Sequence, residues 1–337
     1  MEPLDNYKTR PFQENKKLSG LLAELSGFLK PLQQDKEKQF TRNQWPLGFV
    51  VGNPRSGTTL ITQWLASLGI FSYPSNFLTR FAYAPYIGAL IQKMLFDESY
   101  DFHGDFADIQ SQINFNSDLG KSKGALAVNE FQHFFRNYMP TTEARPLSDE
   151  ELKRVDFQGM QKALASIEAA FRQPFITKVA VLKYNIKSLA QALPHSIFVH
   201  VNRHPLYVMQ SLHTARIRYF GDISKWYGSK PQAYQELKNM DVYHQVAGQV
   251  YYTEKELKAQ LEDIPGHRKL EISYEEFCHS PGSYFVKLIE KYARNGCTIA
   301  SAYAGPEQFE LKNTEKLHAK EIDKYKAAYT YFSNQSL

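Results

Sequence analysis

The sequence predicts an α/β fold with a mainly parallel central sheet and helices on both faces, on the strength of three segments. Each is a short apolar run that passes through turn residues into helical spacing: residues 47–68, 175–193 and 197–211. Strands alternating with helices in this way form βα crossovers, which build parallel sheets covered on both sides. The 337 residues carry no Pro/Gly/Ser-rich linker and no internal repeat, so a polar extension over 1–45 followed by one domain over 46–337 is expected.

Within the extension, residues 18–32 have amphipathic spacing and predict a helix lying on the domain. The domain opens with Phe49, Val50 and Val51, a strand buried on both faces, while Leu60, Ile61, Trp64, Leu65 and Leu68 recur at helical spacing until Gly69. Between them runs GNPRSGTT, residues 52–59. A loop at that position meets unpaired helix N–H groups and roughly half a positive charge from the macrodipole, so it favours an anion. Gly52 and Gly57 have the GxxxxG spacing of a triphosphate loop, but Thr58 stands where that loop has lysine, and the cation is Arg55. A chain without that lysine suits a shorter anion than a metal-bound triphosphate.

Residues 70–140 are dense in Phe and Tyr, among them Phe71, Tyr73, Phe102, Phe106, Phe131 and Phe135. An insertion after the first βα unit overhangs the carboxyl edge of the sheet, which makes this segment the expected substrate pocket and lid. Residues 175–185 predict a second strand ending near Lys183, followed by a helix over 186–193 that Pro194 stops. Residues 197–201 predict a third, with Pro205 at the first helical position after His204. Arg203 at its end and Ser211 eight residues on can reach one anion, and Arg55, Lys183 and Arg203 would converge at the sheet's carboxyl edge. Tyr219, Phe220, Trp226 and Tyr227 form a second aromatic cluster suited to an opposite pocket wall. Helices are expected over 241–262 and 281–294, and the tail 307–337 as a cover, with Lys312 a candidate phosphate contact.

PRSGTT after a buried strand resembles the 5′-phosphosulfate loop of the sulfotransferases that use 3′-phosphoadenosine-5′-phosphosulfate (PAPS), in its Arg-bearing form. Residues 183–211 resemble that family's run of Lys, short helix, leucine pair, proline, strand and Arg, and residues 270–281, LEISYEEFCHSP, its strand ending in Tyr-Glu-Asp-Leu. The resemblance implies a P-loop NTPase-like sulfotransferase fold and metal-free, in-line transfer of a sulfuryl group to a hydroxyl acceptor, leaving adenosine 3′,5′-bisphosphate (PAP). It implies that Arg55, Ser56, Gly57, Thr58 and Thr59 hold the 5′ end, Arg203 and Ser211 the 3′-phosphate, and Tyr274 the adenine region. Lys183 would stand near the sulfuryl group. Two departures stand out: His204 replaces the usual Asp or Asn, and Leu60 occupies a position where the family's cytosolic branch has an aromatic ring. For the base that takes the acceptor proton, Glu130 is the first candidate, its apolar neighbours expected to raise its pKa, with His133, His103 and Asp105 as alternatives. A kinase-like phosphotransferase and a non-catalytic nucleotide-binding homologue are the rival classes.

Composition agrees with a soluble catalytic domain. A 43% hydrophobic fraction is ample for a core, and a net charge of +5 without a block of like charge argues against a nucleic-acid partner. Two cysteines, Cys278 and Cys297, exclude a disulfide scaffold and a zinc cluster. The absence of any apolar run of about 20 residues predicts no transmembrane segment, and together these features predict a cytoplasmic protein.

Overall fold

The computed structural model describes residues 7–101, 103–106, 109, 113 and 115–335. Four strands, β1 (Leu47–Gly52), β2 (Ile176–Lys178), β3 (Ser196–Asn202) and β4 (Lys269–Ser273), form one sheet in the order β2-β1-β3-β4, with every neighbouring pair parallel. Gly52 pairs with Val201, so the carboxyl ends of β1 and β3 lie level and side by side. Alternate side chains go to opposite faces: Phe49, Val51 and Phe198 to one core layer, Val50, Ile197, Val199 and Val201 to the other. Burial on both sides is why these strands read as unbroken apolar runs rather than as alternation.

Thirteen α-helices lie among the described residues: α1 (Lys16–Glu37), α2 (Thr58–Ser67), α3 (Pro85–Phe96), α4 (Gln132–Arg136), α5 (Asp149–Lys153), α6 (Phe157–Phe171), α7 (Ile186–Ala192), α8 (Pro205–Phe220), α9 (Tyr234–Leu237), α10 (Val242–Glu262), α11 (Tyr274–His279), α12 (Pro281–Arg294) and α13 (Ala319–Asn334). Helices α3, α6 and α7 cover the Phe49 face, and α2, α11 and α12 the Val50 face. Helices α8, α10 and α13 share a third apolar layer around Leu212, Val246 and Tyr325. Each fully buried Leu or Phe in these layers contributes about 1.5–3 kcal/mol. No helix among the described residues is long and apolar enough to cross a membrane.

Three segments differ from their sequence-based expectation. Helix α1 forms, capped by the Asn15 side chain, but its apolar stripe faces outward: Leu21, Phe28 and Leu32 are 54%, 71% and 62% exposed. The helix is held instead through buried Gln33, which accepts from the Tyr86 N–H and donates to Glu37 and Ser166. The second strand is three residues long, not eleven, because after Val179 the chain leaves the sheet and buries Val181, Leu182 and Tyr184 in the core. An apolar run reports burial, and here burial comes without strand pairing. The rings of the 70–140 segment divide: Phe71, Phe131, Phe134 and Phe135 are buried in the core, Phe131 and Phe134 stacked at 4.4 Å, while Tyr83, Tyr100 and Phe106 are exposed. Phe102 lies outside the described residues.

Candidate active site

The loop between β1 and α2 holds two residues in the left-handed region, Arg55 (φ +71°) and Gly57 (φ +97°). For arginine that conformation costs about 1–2 kcal/mol, so the rest of the loop must hold it there. At position 57 only glycine fits, since an added Cβ would lie 2.3 Å from the Tyr274 ring. No side chain caps α2, which leaves its first N–H groups for another acceptor. Ser56 is fully buried beneath the loop, and its Oγ has no hydrogen-bond partner among the described residues. Asn53 anchors the start of the loop by donating to the Val250 carbonyl (3.2 Å) and to Glu254 (3.1 Å), whose other oxygen lies 3.3 Å from buried His200. Burial pushes the Glu254 carboxyl up, but His200, Lys258 and Asn53 together bring it below its ordinary value.

The adjacent strand end delivers the second arginine to the same place. Arg55 Nε donates to Ser211 Oγ at 2.9 Å, and Arg203 Nη1 donates to the Arg55 carbonyl at 3.1 Å. Both guanidinium groups, Ser211, Gly57, Thr58, Thr59 and Tyr274 line one cleft of about 430 Å³. The Arg203 guanidinium also lies on the Tyr274 ring, 4.5 Å from its centroid. Burial lowers the pKa of both arginines, as expected where cations gather out of water. The tail straps across this cleft. Arg203 donates to the Lys312 carbonyl (2.6 Å) and to Asn313 (2.8 Å), Asn313 donates to Glu275 (2.7 Å), and Gln210 accepts from the Lys316 N–H (2.7 Å).

Beside the cleft lies a second cavity of about 310 Å³, and Pro54, Glu130, Lys178 and Tyr227 line both. Lys178, the last residue of β2, forms an ion pair with Glu130, which also accepts from Gln132. Burial alone would raise the Glu130 carboxyl, but Lys178, Gln132 and Lys183 outweigh it, and the pKa falls below its ordinary 4.5. That corrects the expected upward shift, which considered only the apolar neighbours in sequence. Lys183 is not at a strand end either: it lies in the irregular segment after β2, buried, donating to the Gly52 carbonyl at 3.2 Å and lining the second cavity alone. Burial, reinforced by Lys178, lowers it to about 7.

The sequence matches the family model described as "Sulfotransferase family" over residues 46–292. The chain belongs to the sulfotransferase family. Among solved structures, sulfotransferase STF9 from Mycobacterium avium aligns with a TM-score of 0.54 at 13% identity, over 98% of this chain and 86% of that one. Sulfotransferase STF1 from Mycobacterium tuberculosis H37Rv aligns with a TM-score of 0.50 at 13% identity, over 91% and 76% of the two chains. Likeness at such identity speaks for the fold alone. No curated protein sequence matches this one.

In this sulfotransferase the residues anticipated for the two strand-to-helix junctions, Arg55, Gly57, Thr58, Thr59, Arg203 and Ser211, line one cleft together with Tyr274, while the anticipated Ser56 is buried behind it. His103, Asp105 and His133 are exposed and line neither cavity, which separates them from Glu130. Sequence reasoning missed Lys178, hidden inside a longer predicted strand, and the positioning residues Asn53, His200 and Glu254. A polar residue inside an apolar strand, as His200 is, was the available signal for the last group.

Proposed function

We propose that this sulfotransferase uses PAPS to sulfate a hydroxyl acceptor, with the nucleotide in the 430 Å³ cleft and the acceptor in the second cavity. The observation that carries the reading is the juxtaposition of Arg55, Ser211 and Arg203, linked at 2.9 and 3.1 Å along one wall. Two arginine forks, an uncapped helix N-terminus and the unpartnered Ser56 hydroxyl suit the phosphate groups of such a nucleotide. Arg203 and Ser211 would hold the 3′-phosphate, while Arg55, the N–H groups of residues 56–59 and the Thr58 and Thr59 hydroxyls would hold the 5′ end. The Tyr274 ring would bear on the adenine region, and the tail around Lys312 would cover it.

Bound there, PAPS supplies the sulfuryl group and leaves as PAP. The chain's own residues do the rest. Arg55 and the loop N–H groups would meet the charge that grows on the departing oxygen, with Lys183, on the Gly52 carbonyl, near the sulfuryl group from the side of the second cavity, and donors fixed in that way favour the transition state over the ground state. Glu130 takes the acceptor's proton, and its low pKa keeps it ionised and ready at neutral pH. Lys178, paired with it at the junction of the two cavities, holds that carboxylate in place and compensates its charge. In this reading the segments 130–144 and 226–230 form the acceptor's surroundings, with Trp226 and Tyr227 as one wall.

Calorimetry with PAP tests the donor half: binding that persists in the presence of a chelator is expected, and preference for ATP with Mg²⁺ would favour a phosphotransferase instead. Transfer of ³⁵S from labelled PAPS to any alcohol tests the whole. Tight PAP binding without transfer to any member of a broad acceptor panel would point to a non-catalytic homologue.

A further inference from the structure

The second cavity holds more positive charge than its carboxylates answer. Lys178 is paired with Glu130, Lys230 with Glu143 at 2.5 Å, and Lys183 rests on the Gly52 carbonyl. Arg136, at the end of α4, is left over. Its Nε is buried without a hydrogen-bond partner, and no carboxylate among the described residues forms an ion pair with it. Arginine stays protonated in such a place, and its planar fork matches two oxygens of a carboxylate or phosphate. Glu130 is the carboxylate whose charge acts on it, but that group is already paired with Lys178, and a buried donor left without a partner of its own is costly unless a ligand satisfies it.

Position adds the second half. Arg136 lines the second cavity but not the nucleotide cleft, whereas Glu130 lines both. An acceptor whose hydroxyl meets Glu130 therefore extends away from the nucleotide towards Arg136. Val179, Ala180, Val181 and Trp226 supply apolar wall between the charged groups, and about 310 Å³ is at the small end of ligand pockets, so the acceptor is compact.

We propose that the acceptor is a hydroxyl compound bearing a second, anionic oxygen group, a carboxylate or a phosphate, which seats on Arg136 while the hydroxyl faces Glu130. This rests on the reading of the second cavity as the acceptor site. Arg136 would be a specificity-determining residue with no part in the transfer itself.

The test incubates the full chain with ³⁵S-labelled PAPS and a deproteinised extract of its host cells, then measures the charge of the labelled product by electrophoresis at two pH values. A sulfate ester alone carries one negative charge at pH 7 and at pH 2. A carboxylate adds about one charge that is lost at pH 2, and a phosphate adds nearly two, of which about one persists. A product with at least two charges at pH 7 is expected, and one with a single charge at both pH values overturns the proposal. A second measurement needs no turnover. PAP-loaded protein is titrated with 4-hydroxybenzoate and glycerol 2-phosphate, and with their neutral counterparts methyl 4-hydroxybenzoate and glycerol. At least one anionic member should bind about 10- to 100-fold tighter than its neutral partner. Arg136→Gln should erase that preference, Arg136→Lys should retain part of it, and PAP affinity should not change in either. Equal binding within both pairs, or a preference that Arg136→Gln leaves intact, overturns the proposal. Failure of the unaltered protein to bind PAP at all would instead remove the nucleotide reading on which it stands.

Discussion

The nucleotide cleft and the second cavity share Glu130, Lys178 and Tyr227 but are built in different ways. The cleft forms where β1 and β3 end side by side and pass into α2 and α8, so Arg55, Arg203, Ser211 and the loop N–H groups meet because a parallel sheet puts them there. The second cavity takes Glu130, Gln132, Arg136, Glu143 and Lys230 from segments outside the sheet, and only packing brings them together. The proposed anion site is thus a product of the fold, while the proposed acceptor site is a product of its insertions. Both regions share the Lys178–Glu130 pair, but in the cleft Arg55 and Arg203 sit on backbone carbonyls, on Ser211 and on the Asn313 side chain while Arg218 pairs with Asp118, and in the second cavity Lys230 pairs with Glu143.

The sharpest way to separate the two regions is through the group they share. Glu130→Gln should lower kcat by about two to four powers of ten while PAP affinity stays within a factor of about two. In the unaltered enzyme, the acid limb of the kcat profile should fall below pH 4.5, since Glu130 is held below that value; a limb near pH 6 would indicate a histidine instead. Arg203→Ala should act only on the cleft, weakening PAP by about 2–4 kcal/mol in calorimetry through loss of charge-assisted contacts. An unchanged PAP affinity in that variant would break the assignment of the cleft.

Smaller effects refine it. Gly57→Ala forces a Cβ into the Tyr274 ring at a left-handed position, and should cost about 1–3 kcal/mol of stability, read by denaturant unfolding, together with PAP affinity. Lys183 yields a pH signature with two opposite signs. Its pKa in the fold is about 7, against an ordinary 10.5, so between those values the unfolded chain binds more protons and stability rises with pH. A nearby phosphosulfate favours the charged amine, so nucleotide binding should take up a proton in that same window and weaken as pH rises, by at most about tenfold per pH unit. Calorimetry in buffers of different protonation enthalpy measures that uptake, and Lys183→Met should abolish it.

The sequence alone determined the parallel sheet's β1 and β3 and the glycine-bearing loop that follows β1. Buried strands announce themselves as short apolar runs, and glycine, proline and a well-placed arginine mark the junctions, because local backbone geometry controls what can stand there. Helices α8, α10 and α12 likewise lie within a residue or so of where capping and proline signals put them, and the apolar residues of 49–51 and 197–201 are strands for the reason their patterning indicates. What only the tertiary structure decided was every feature that depends on contacts distant along the chain. Lys178 became the partner of Glu130 across 48 residues, reversing the direction of its pKa, and β2 stopped after three residues because the following apolar side chains found burial without strand partners. Arg136 came to hold a buried Nε with no hydrogen-bond partner among the described residues in the same way: its neighbours in sequence show nothing of which groups reach it, since that depends on how loops of unrelated position pack against one another.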